Sequence, residues 1–263
     1  MGNKYYQPGA ERAEKVGDLF ATIAPRYDLI NDLQSFGLHR AWKRRLVHLA
    51  APRHAERALD VCCGTGDIAL SFARRGAEVV GLDFSEPMLA IATAKASSEF
   101  RVASSALNSE LETRNSEPSP PRFIRGDAQE IPFPDNQFDI VSVGYGLRNL
   151  ASWEAGLREM LRVAKPGARL LVLDFGKPDD ALWRLAYFSY LRWGVPIFGK
   201  VFCHDSQTHS YIFESLKNYP AQRGVAEKMR ALGCEDVRIV NLLGGVMSIN
   251  YARKAPLRHA RRE

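Results

Sequence analysis

Cysteine is scarce in this chain, and the four cysteines present form neither a C-x-x-C pair nor a zinc-ligand spacing. We therefore predict reduced thiols and no metal site. No run of about 18 uncharged apolar residues occurs, which argues against a membrane-spanning helix. The beginning of the chain also lacks the charged-then-apolar pattern of a secretion signal. These absences predict a cytoplasmic protein, and 263 residues suit one large globular domain with additions.

Acidic residues are missing between Asp32 and Glu56, in a chain whose formal net charge is +6. A second basic cluster lies in the tail at 252–263. Solvated helix faces and a frayed tail would account for both clusters. Attraction to an anionic membrane surface or to nucleic acid would account for them equally well, so the charge pattern alone leaves these alternatives open.

Short apolar runs alternate with helical patterns between Arg57 and Phe175, which predicts a parallel sheet with helices on both faces. Two further strands are joined at Gly244-Gly245, a connection short enough to make them antiparallel. The predicted fold is a doubly wound α/β sheet of seven mostly parallel strands with a C-terminal antiparallel strand. The predicted strands span residues 58–62, 78–84, 123–125, 138–143, 168–175, 237–242 and 246–251.

Segments outside the alternating pattern predict the domain organisation. Residues 1–55 are expected to form an N-terminal helical cap, and residues 56–263 the nucleotide-binding domain. A stretch rich in Ser, Glu, Asn and Pro at 97–121 predicts a mobile insertion after a frayed helix end. A helical cap over the substrate is expected at 180–232 and a basic tail at 252–263. The aromatic-rich part of that cap suits internal packing, a lining for an apolar substrate, or contact with a membrane.

A glycine turn, Gly64-Thr65-Gly66, follows the first predicted strand, and the second strand ends on Asp83. Glycines at the first turn of a βαβ unit let a nucleotide approach the backbone, and an acid ending the second strand is placed for ribose hydroxyls. The spacing of Gly64, Gly66 and Ala69 also fits a dinucleotide fingerprint. An NAD-dependent reductase is disfavoured, however, because the chain lacks a catalytic Tyr-x-x-x-Lys pair.

Two other features favour S-adenosylmethionine as the nucleotide. The third strand ends in Gly126-Asp127-Ala128, which would lie beside an adenine, and the C-terminal antiparallel pair is typical of class I methyltransferases. In such an enzyme Asp60, at the end of the first strand, would accept a hydrogen bond from the ligand's ammonium or anchor the loop. A nucleic-acid amino-methylating enzyme is disfavoured, because no Asn/Asp-Pro-Pro-aromatic motif follows the fourth strand.

Five segments together resemble the quinone C-methyltransferases, which methylate demethylmenaquinol or a polyprenyl benzoquinol. They are YDLINDLQSFGLHRAWKR (27–44), LDVCCGTGDIAL (59–70), VVGLDFSEPML (79–89), GDAQEIPFPDNQFD (126–139) and GYGLRN (144–149). The resemblance implies S-adenosylmethionine as cofactor and a polyprenylated quinol as substrate. Cofactor contacts are expected at Gly64, Thr65, Gly66, Asp83, Asp127 and Ala128. Gly144 stands where some members have a contacting serine.

The same resemblance favours demethylmenaquinol over a benzoquinol, because the Cys62-Cys63 pair is more similar to the menaquinone branch. Arg148 and Asn149 are the predicted catalytic residues, the first stabilising phenolate charge and the second orienting the oxygen. Arginine is a poor base. The proton acceptor is therefore expected to be a water held by Arg148, or one of Asp28, His204 and Asp205.

Plainer alternatives remain for these residues and for the whole chain. Arg148 would have a structural role if it only paired with an acid such as Glu154, and Asp28 if it only capped a helix. A non-catalytic lipid-binding protein that retains the fold is the alternative of another class. Peripheral membrane contact at the inner face is expected from the basic and aromatic segments, no nucleic-acid partner is expected, and a homodimer is left open.

Overall fold

The computed structural model describes residues 22–107, 118–195 and 206–256. A seven-stranded sheet forms its centre, with strand order β3-β2-β1-β4-β5-β7-β6. The strands are β1 (Arg57–Val61), β2 (Glu78–Asp83), β3 (Arg122–Arg125), β4 (Phe138–Gly144), β5 (Ala164–Phe175), β6 (Cys234–Leu242) and β7 (Met247–Lys254). Strands β1 to β5 pair in parallel, whereas β7 lies antiparallel between β5 and β6. The predicted fold class is confirmed.

Helices cover both faces of the sheet. They are α1 (Tyr27–Ser35), α2 (Leu38–Ala50), α3 (Asp67–Ala73), α4 (Glu86–Leu107), α5 (Trp153–Val163), α6 (Ala181–Ser189), α7 (Ser206–Asn218) and α8 (Ala221–Ala231). Short 3-10 turns occur at Ala24–Arg26, Leu147–Asn149 and Leu243–Gly245, and a π-helical turn at Tyr190–Gly194. Within the three described ranges, none of the helices combines the length and the apolar character that crossing a membrane requires.

The sheet separates two apolar cores because alternate residues of each strand point to opposite faces. Leu59 of β1 and Leu170 of β5 lie in one core, and Ala58 and Leu171, their neighbours in sequence, lie in the other. Helix α2 contributes its buried face to the second core. That packing fixes α2 against one face of the sheet.

Most element boundaries lie within three residues of the predictions, and two differ by more. Strand β5 begins at Ala164, because a bulge in its pairing with β4 and the left-handed Gly167 let the chain continue through the expected stop at 165–167. Helix α4 continues to Leu107, into the segment predicted as an insertion at 97–121, and Glu99 there forms a two-bond ion pair with Arg74 of the preceding unit. Residues 108–117 lie outside the described residues, so their predicted mobility stays a prediction.

The N-terminal cap is described from residue 22 onward, and the first part of the predicted helix at 9–33 lies outside the described residues. Pro25 falls in the 3-10 turn Ala24–Arg26, where the sequence predicts an interruption. Two residues in left-handed conformation, Phe36 and Gly37, connect α1 to α2. The resulting hairpin supplies wall residues to each of three cavities at the carboxyl edge of the sheet.

Candidate functional site

A nucleotide cleft opens at the carboxyl ends of β1, β2 and β4, with about 800 Å³ of empty space. Five of the predicted site residues line it: Gly64, Asp83, Asp127, Ala128 and Asn149. This is the edge of a doubly wound sheet where ligands bind, because the first turns and helix N-termini converge there. The sheet thus brings together predicted site residues that are far apart in the sequence, Gly64 and Asn149 being separated by 85 positions.

Asp83 forms the rim of this cleft at the end of β2. Its Oδ2 accepts the Gly64 N–H at 2.8 Å and its Oδ1 accepts the Ser85 N–H at 2.9 Å. Burial raises the pKa of Asp83, and these backbone hydrogen bonds oppose the rise. The carboxylate therefore holds the glycine turn beside the start of α4 and retains lone pairs for further donors.

The residues of the glycine turn have three different surroundings. A Cβ on Gly64 would meet only Tyr27 Cε1 at 4.0 Å, so the space above it belongs to the cleft. A Cβ on Gly66 would lie 2.9 Å from the Phe123 ring, so this glycine permits close packing of α3 on the sheet; it is not among the described residues lining the three cavities. Thr65 is buried, and its Oγ1 donates to Asp28 Oδ1 at 2.8 Å.

Asp127 and Ala128, at the end of β3, line the far side of the nucleotide cleft. Asp127 Oδ1 accepts the Gln129 N–H at 2.8 Å, which fixes the carboxylate against its own loop. Gly144, where a serine was noted as absent, lies between the cleft and a second cavity, and a Cβ there would lie 2.6 Å from Ile68 Cδ1. Ile68 therefore leaves no room for a side chain at that position without rearrangement.

A small polar cavity of about 320 Å³ adjoins the cleft under the glycine turn. Lys43 and Asp60 both line it. Lys43 Nζ bonds Asp67 Oδ2 at 2.7 Å, and Lys95 Nζ bridges Asp67 and Asp28 at 3.0 and 2.5 Å. The two lysines hold the pKa of Asp67 at about 2 against the opposing effect of burial. This network ties both N-terminal helices to the glycine turn.

Besides Tyr145 Oη, two buried polar atoms beside these spaces have no hydrogen-bond partner among the described residues. One is Asp60 Oδ2, on the small polar cavity, whose companion Oδ1 accepts from Ser142 at 2.8 Å. The other is Ser85 Oγ, on the nucleotide cleft. Ser85 occupies the expected capping position before α4, but its side chain makes no cap bond there. An unmatched acceptor and an unmatched hydroxyl fit a ligand with an ammonium and hydroxyl groups, as S-adenosylmethionine has.

A third space, the aromatic cavity, lies on the other side of Tyr27 and Tyr145 and holds about 1060 Å³. Aliphatic and aromatic side chains make up most of its wall, and the aromatic ones are Tyr27, Trp42, Tyr145, Phe175, Tyr187 and Tyr190. Tyr27 and Tyr145 also line the nucleotide cleft and the small polar cavity. These two tyrosines therefore form the shared wall between a polar ligand site and an apolar one.

The structure separates the two residues predicted to be catalytic, because Arg148 lines the aromatic cavity and Asn149 the nucleotide cleft. Arg148 Nη1 lies 3.1 Å from Asp174 Oδ1, and both side chains are buried. The guanidinium also lies over the Phe175 ring, 4.6 Å from its centroid. From the sequence, Glu154 was an example of an acid with which Arg148 could pair in a purely structural role. That was one alternative for Arg148, and the acid that it pairs with is Asp174, which the order of strands places at the end of β5 beside it.

Tyr145 links the two cavities through an uncommon backbone conformation. Its φ is +64°, a left-handed value that costs a non-glycine residue about 1–3 kcal/mol when the surroundings enforce it. Arg148 Nη1 and Asn149 Nδ2 both donate to the Tyr145 carbonyl. Both predicted catalytic residues thus also hold the shared wall in place.

The candidate proton acceptors are placed differently from one another. Asp28 accepts from both Thr65 and Lys95, so its carboxylate serves the network under the glycine turn. His204 and Asp205 lie outside the described residues. Sequence reasoning missed His39, a buried histidine on the aromatic cavity, and Asp174. An acid in the apolar run LLVLDF was a readable signal for Asp174, and His39 stands in the segment 27–44 that carries the resemblance, where it was given no role.

Comparison with known proteins agrees with this geometry. The sequence matches the ubiE/COQ5 methyltransferase family over residues 9–254. The ubiquinone/menaquinone biosynthesis C-methyltransferase UbiE of Stutzerimonas stutzeri (strain A1501) is 38% identical over 250 residues, covering 94% of this chain and 91% of that protein. Its counterpart in Azotobacter vinelandii is 37% identical, covering 94% and 92%.

Among solved structures, a SAM-dependent methyltransferase from Aquifex aeolicus has the same fold, with a TM-score of 0.54 at 18% identity over 80% of this chain and 88% of that one. The resemblance noted in the five sequence segments is confirmed by a match to nearly the whole chain. The chain belongs to the ubiE/COQ5 methyltransferase family and is an S-adenosylmethionine-dependent C-methyltransferase of ubiquinone/menaquinone biosynthesis.

Proposed function

We propose that the enzyme methylates a ring carbon of demethylmenaquinol to give menaquinol. The observation that carries this proposal is the aromatic cavity, which shares Tyr27 and Tyr145 with the nucleotide cleft and is lined by apolar and aromatic side chains. A fused two-ring quinol with a prenyl tail suits a wall of this kind. The Cys62-Cys63 turn, similar to the menaquinone branch, supports the same choice.

Arg148 is the group proposed to act on the quinol oxygen. A phenol has a pKa of about 10, so its ring carbon becomes strongly nucleophilic only when a hydroxyl loses its proton. S-adenosylmethionine supplies an electrophilic methyl group when bound. Arg148, fixed against Asp174 and Phe175, would stabilise the negative oxygen, and Asn149 would hold the loop between the two ligands. Positioning across the shared wall adds to the rate.

Ring type is tested by methyl transfer from labelled S-adenosylmethionine to reduced demethylmenaquinone and, in parallel, to a 2-methoxy-6-polyprenyl-1,4-benzoquinol. We expect a higher kcat/KM with the naphthoquinol. A preference for the benzoquinol would assign the enzyme to ubiquinone synthesis instead. Cofactor binding without methyl transfer to either quinol would favour a lipid-binding protein that retains the fold.

The cofactor is proposed to lie along the nucleotide cleft. The Asp83 carboxylate would accept hydrogen bonds from the ribose hydroxyls, and Asp127 and Ala128 would contact the adenine. Gly64 supplies the open backbone, whereas Gly66 and Thr65 support the turn from below. Asp60 and Lys43 offer one charge of each sign to the ammonium and carboxylate of the amino acid end.

Asp60 gives the amino acid site a pH dependence. The pKa of Asp60 is raised to about 7, mainly by burial and to a smaller extent by the negative charge of Asp83. The hydrogen bonds from Ser142 and the Ala69 N–H and the positive charge of Lys43 oppose this rise. Only the ionised form attracts an ammonium, so cofactor affinity should fall about tenfold as pH decreases from about 8 to 6. The stability of the ligand-free protein has the opposite sign, because a raised carboxyl pKa makes folding less favourable as pH rises toward 7.

Calorimetry of S-adenosylmethionine binding across this pH range tests the expectation. Methylthioadenosine, which lacks the amino acid end, is the control ligand and should bind with little dependence on pH. The Asp60→Asn variant should bind S-adenosylmethionine more weakly and lose the pH dependence. An unchanged pH slope in that variant would show that another group titrates.

A membrane-facing rim is proposed at the mouth of the aromatic cavity. Helices α1 and α6 and the π-helical turn line the cavity, and each also exposes large apolar side chains: Leu29, Leu33, Phe36, Leu182, Trp183, Leu185, Tyr190 and Trp193. Arg26, Arg184 and Arg192 are exposed among them. An apolar rim with basic residues suits an anionic lipid surface and would admit a prenyl tail from lipid.

Three other expectations from the sequence stay predictions: the helical substrate cap at 180–232, the cytoplasmic location and the homodimer.

Phe36→Asp should weaken binding to vesicles containing anionic lipid by about tenfold, because a fully buried Phe side chain contributes about 1.5–3 kcal/mol. Phe36 is 87% exposed and left-handed, a conformation that Asp tolerates, so the fold should not suffer. Ala51→Asp is the matched control, since Ala51 is also exposed and left-handed but lies at the other end of α2. Equal vesicle co-sedimentation of the two variants would contradict the rim.

A further inference from the structure

His39 is a buried histidine that the roles described above leave unused. It lies near the start of α2, is 4% exposed, and lines the aromatic cavity together with Arg148. Histidines in apolar surroundings are usually satisfied by local hydrogen bonds. The hydrogen bonds of His39 satisfy one ring nitrogen and leave the other without a partner among the described residues.

The protonation of the ring follows from its neighbour Ser35. Ser35 Oγ lies 2.6 Å from the Asn31 carbonyl, which can only accept, so the single hydroxyl proton is donated there. The same oxygen accepts the His39 backbone N–H at 3.2 Å and lies 2.9 Å from Nδ1. Having no second proton to give, Ser35 Oγ must accept from Nδ1–H. The lone pair of the neutral ring is therefore on Nε2.

Charged neighbours favour the same arrangement. Asp32 Oδ1 lies 3.6 Å from Nδ1 and is itself held by Arg40. Burial lowers the pKa of His39 below its usual value, Lys43 and Arg40 lower it further, and Asp32 and Asp67 oppose them. The other polar groups that line the aromatic cavity are Tyr27, Asn31, Gln34, Tyr145, Arg148, Tyr187 and Tyr190. At neutral pH the imidazole is thus uncharged, with a basic nitrogen available and an oriented ring.

We propose that His39 is the general base that accepts the quinol hydroxyl proton at Nε2, with Ser35 and Asp32 as positioning residues. This rests on the proposed phenolic substrate. The O–H bond breaks, its electron pair stays on oxygen beside Arg148, and a new N–H bond forms at Nε2. The bond between the methyl carbon and sulfur breaks as the bond to the ring carbon forms, and its electron pair stays on the sulfur as a neutral thioether. The hydrogen on that ring carbon then leaves as a proton to water, which restores the aromatic phenolate. The phenolate then takes the first proton back from Nε2, so one proton is released per methyl group.

Three variants test the base. His39→Gln should lower kcat about 10²–10³-fold, the usual contribution of a positioned base, and leave the Kd for S-adenosylmethionine within about twofold. His39→Ala should regain about tenfold in turnover when imidazole is added, which a packing role would not produce. His48→Gln is the matched control, because His48 is an exposed histidine on the same helix, and it should behave as wild type.

Two further measurements test the base independently of the turnover at a single pH: the pH dependence of kcat/KM and the tautomer of His39. At saturating S-adenosylmethionine, wild-type kcat/KM for the quinol should fall at a pH below the usual titration range of a histidine, because Nε2 becomes protonated there. His39→Gln should lose this acidic limb. Nitrogen NMR of the cofactor-bound wild type should show Nδ1 protonated and Nε2 not. An Nε2–H tautomer, a persisting acidic limb, or full turnover in His39→Gln would overturn the proposal. Wild-type inactivity toward both quinols would instead overturn the proposed function, and the base with it.

Discussion

Arg148→Met should lower turnover by about two to three orders of magnitude while the Kd for S-adenosylmethionine stays within about threefold. Arg148 lines the aromatic cavity and not the nucleotide cleft, so its loss should affect the quinol oxygen and not cofactor binding. The expected decrease is therefore in kcat, with the cofactor affinity measured independently by calorimetry.

The buried partner of Arg148 complicates a single substitution. Asp174 is 2% exposed and accepts from both the Arg148 backbone and its side chain. Removing only the guanidinium leaves an uncompensated buried charge, which typically costs about 3–5 kcal/mol. Arg148→Met alone should thus also lower the free energy of unfolding. A smaller folded fraction would then lower the measured turnover in the same way as a catalytic defect.

A double variant separates the two effects. Arg148→Met with Asp174→Asn removes both charges and should recover most of the lost stability, because no charge remains buried and unpaired. Turnover should stay low in that double variant if the guanidinium stabilises the phenolate. Recovered turnover together with recovered stability would show that Arg148 is only a structural partner of Asp174, as the plainer interpretation of the sequence held.

Local sequence pattern predicted the sheet well because each strand and helix carries its own periodicity. The glycine turn, Asp83 and Asp127 were also predictable, since each follows directly from the end of one strand. The partner of Arg148 was not, because Asp174 lies 26 positions away and reaches it only through the pairing of β4 with β5. His39 was missed for a related reason, since its tautomer depends on the single proton of Ser35 and on the carbonyl that takes it.

Asp83→Ala should raise the Kd for S-adenosylmethionine about 100-fold or more, because each hydrogen bond to a charged group contributes about 1.5–3 kcal/mol. Turnover at saturating cofactor should fall much less, since Asp83 lies on the nucleotide cleft and not on the aromatic cavity. The structure adds a second route to the same loss. Asp83 holds the backbone N–H groups of Gly64 and Ser85, so its removal also loosens the glycine turn.

Ligands that differ only at the ribose distinguish these two routes. Wild type should bind S-adenosylmethionine more tightly than its 2′-deoxy analogue, because the analogue leaves one acceptor of Asp83 unmatched. In Asp83→Ala the contact is already absent, so the two ligands should bind with nearly equal affinity, however loose the turn has become. A preference for the ribose form that persists in the variant would mean that Asp83 acts only through Gly64 and Ser85. In that case the carboxylate shapes the cofactor site from beneath without touching the ligand.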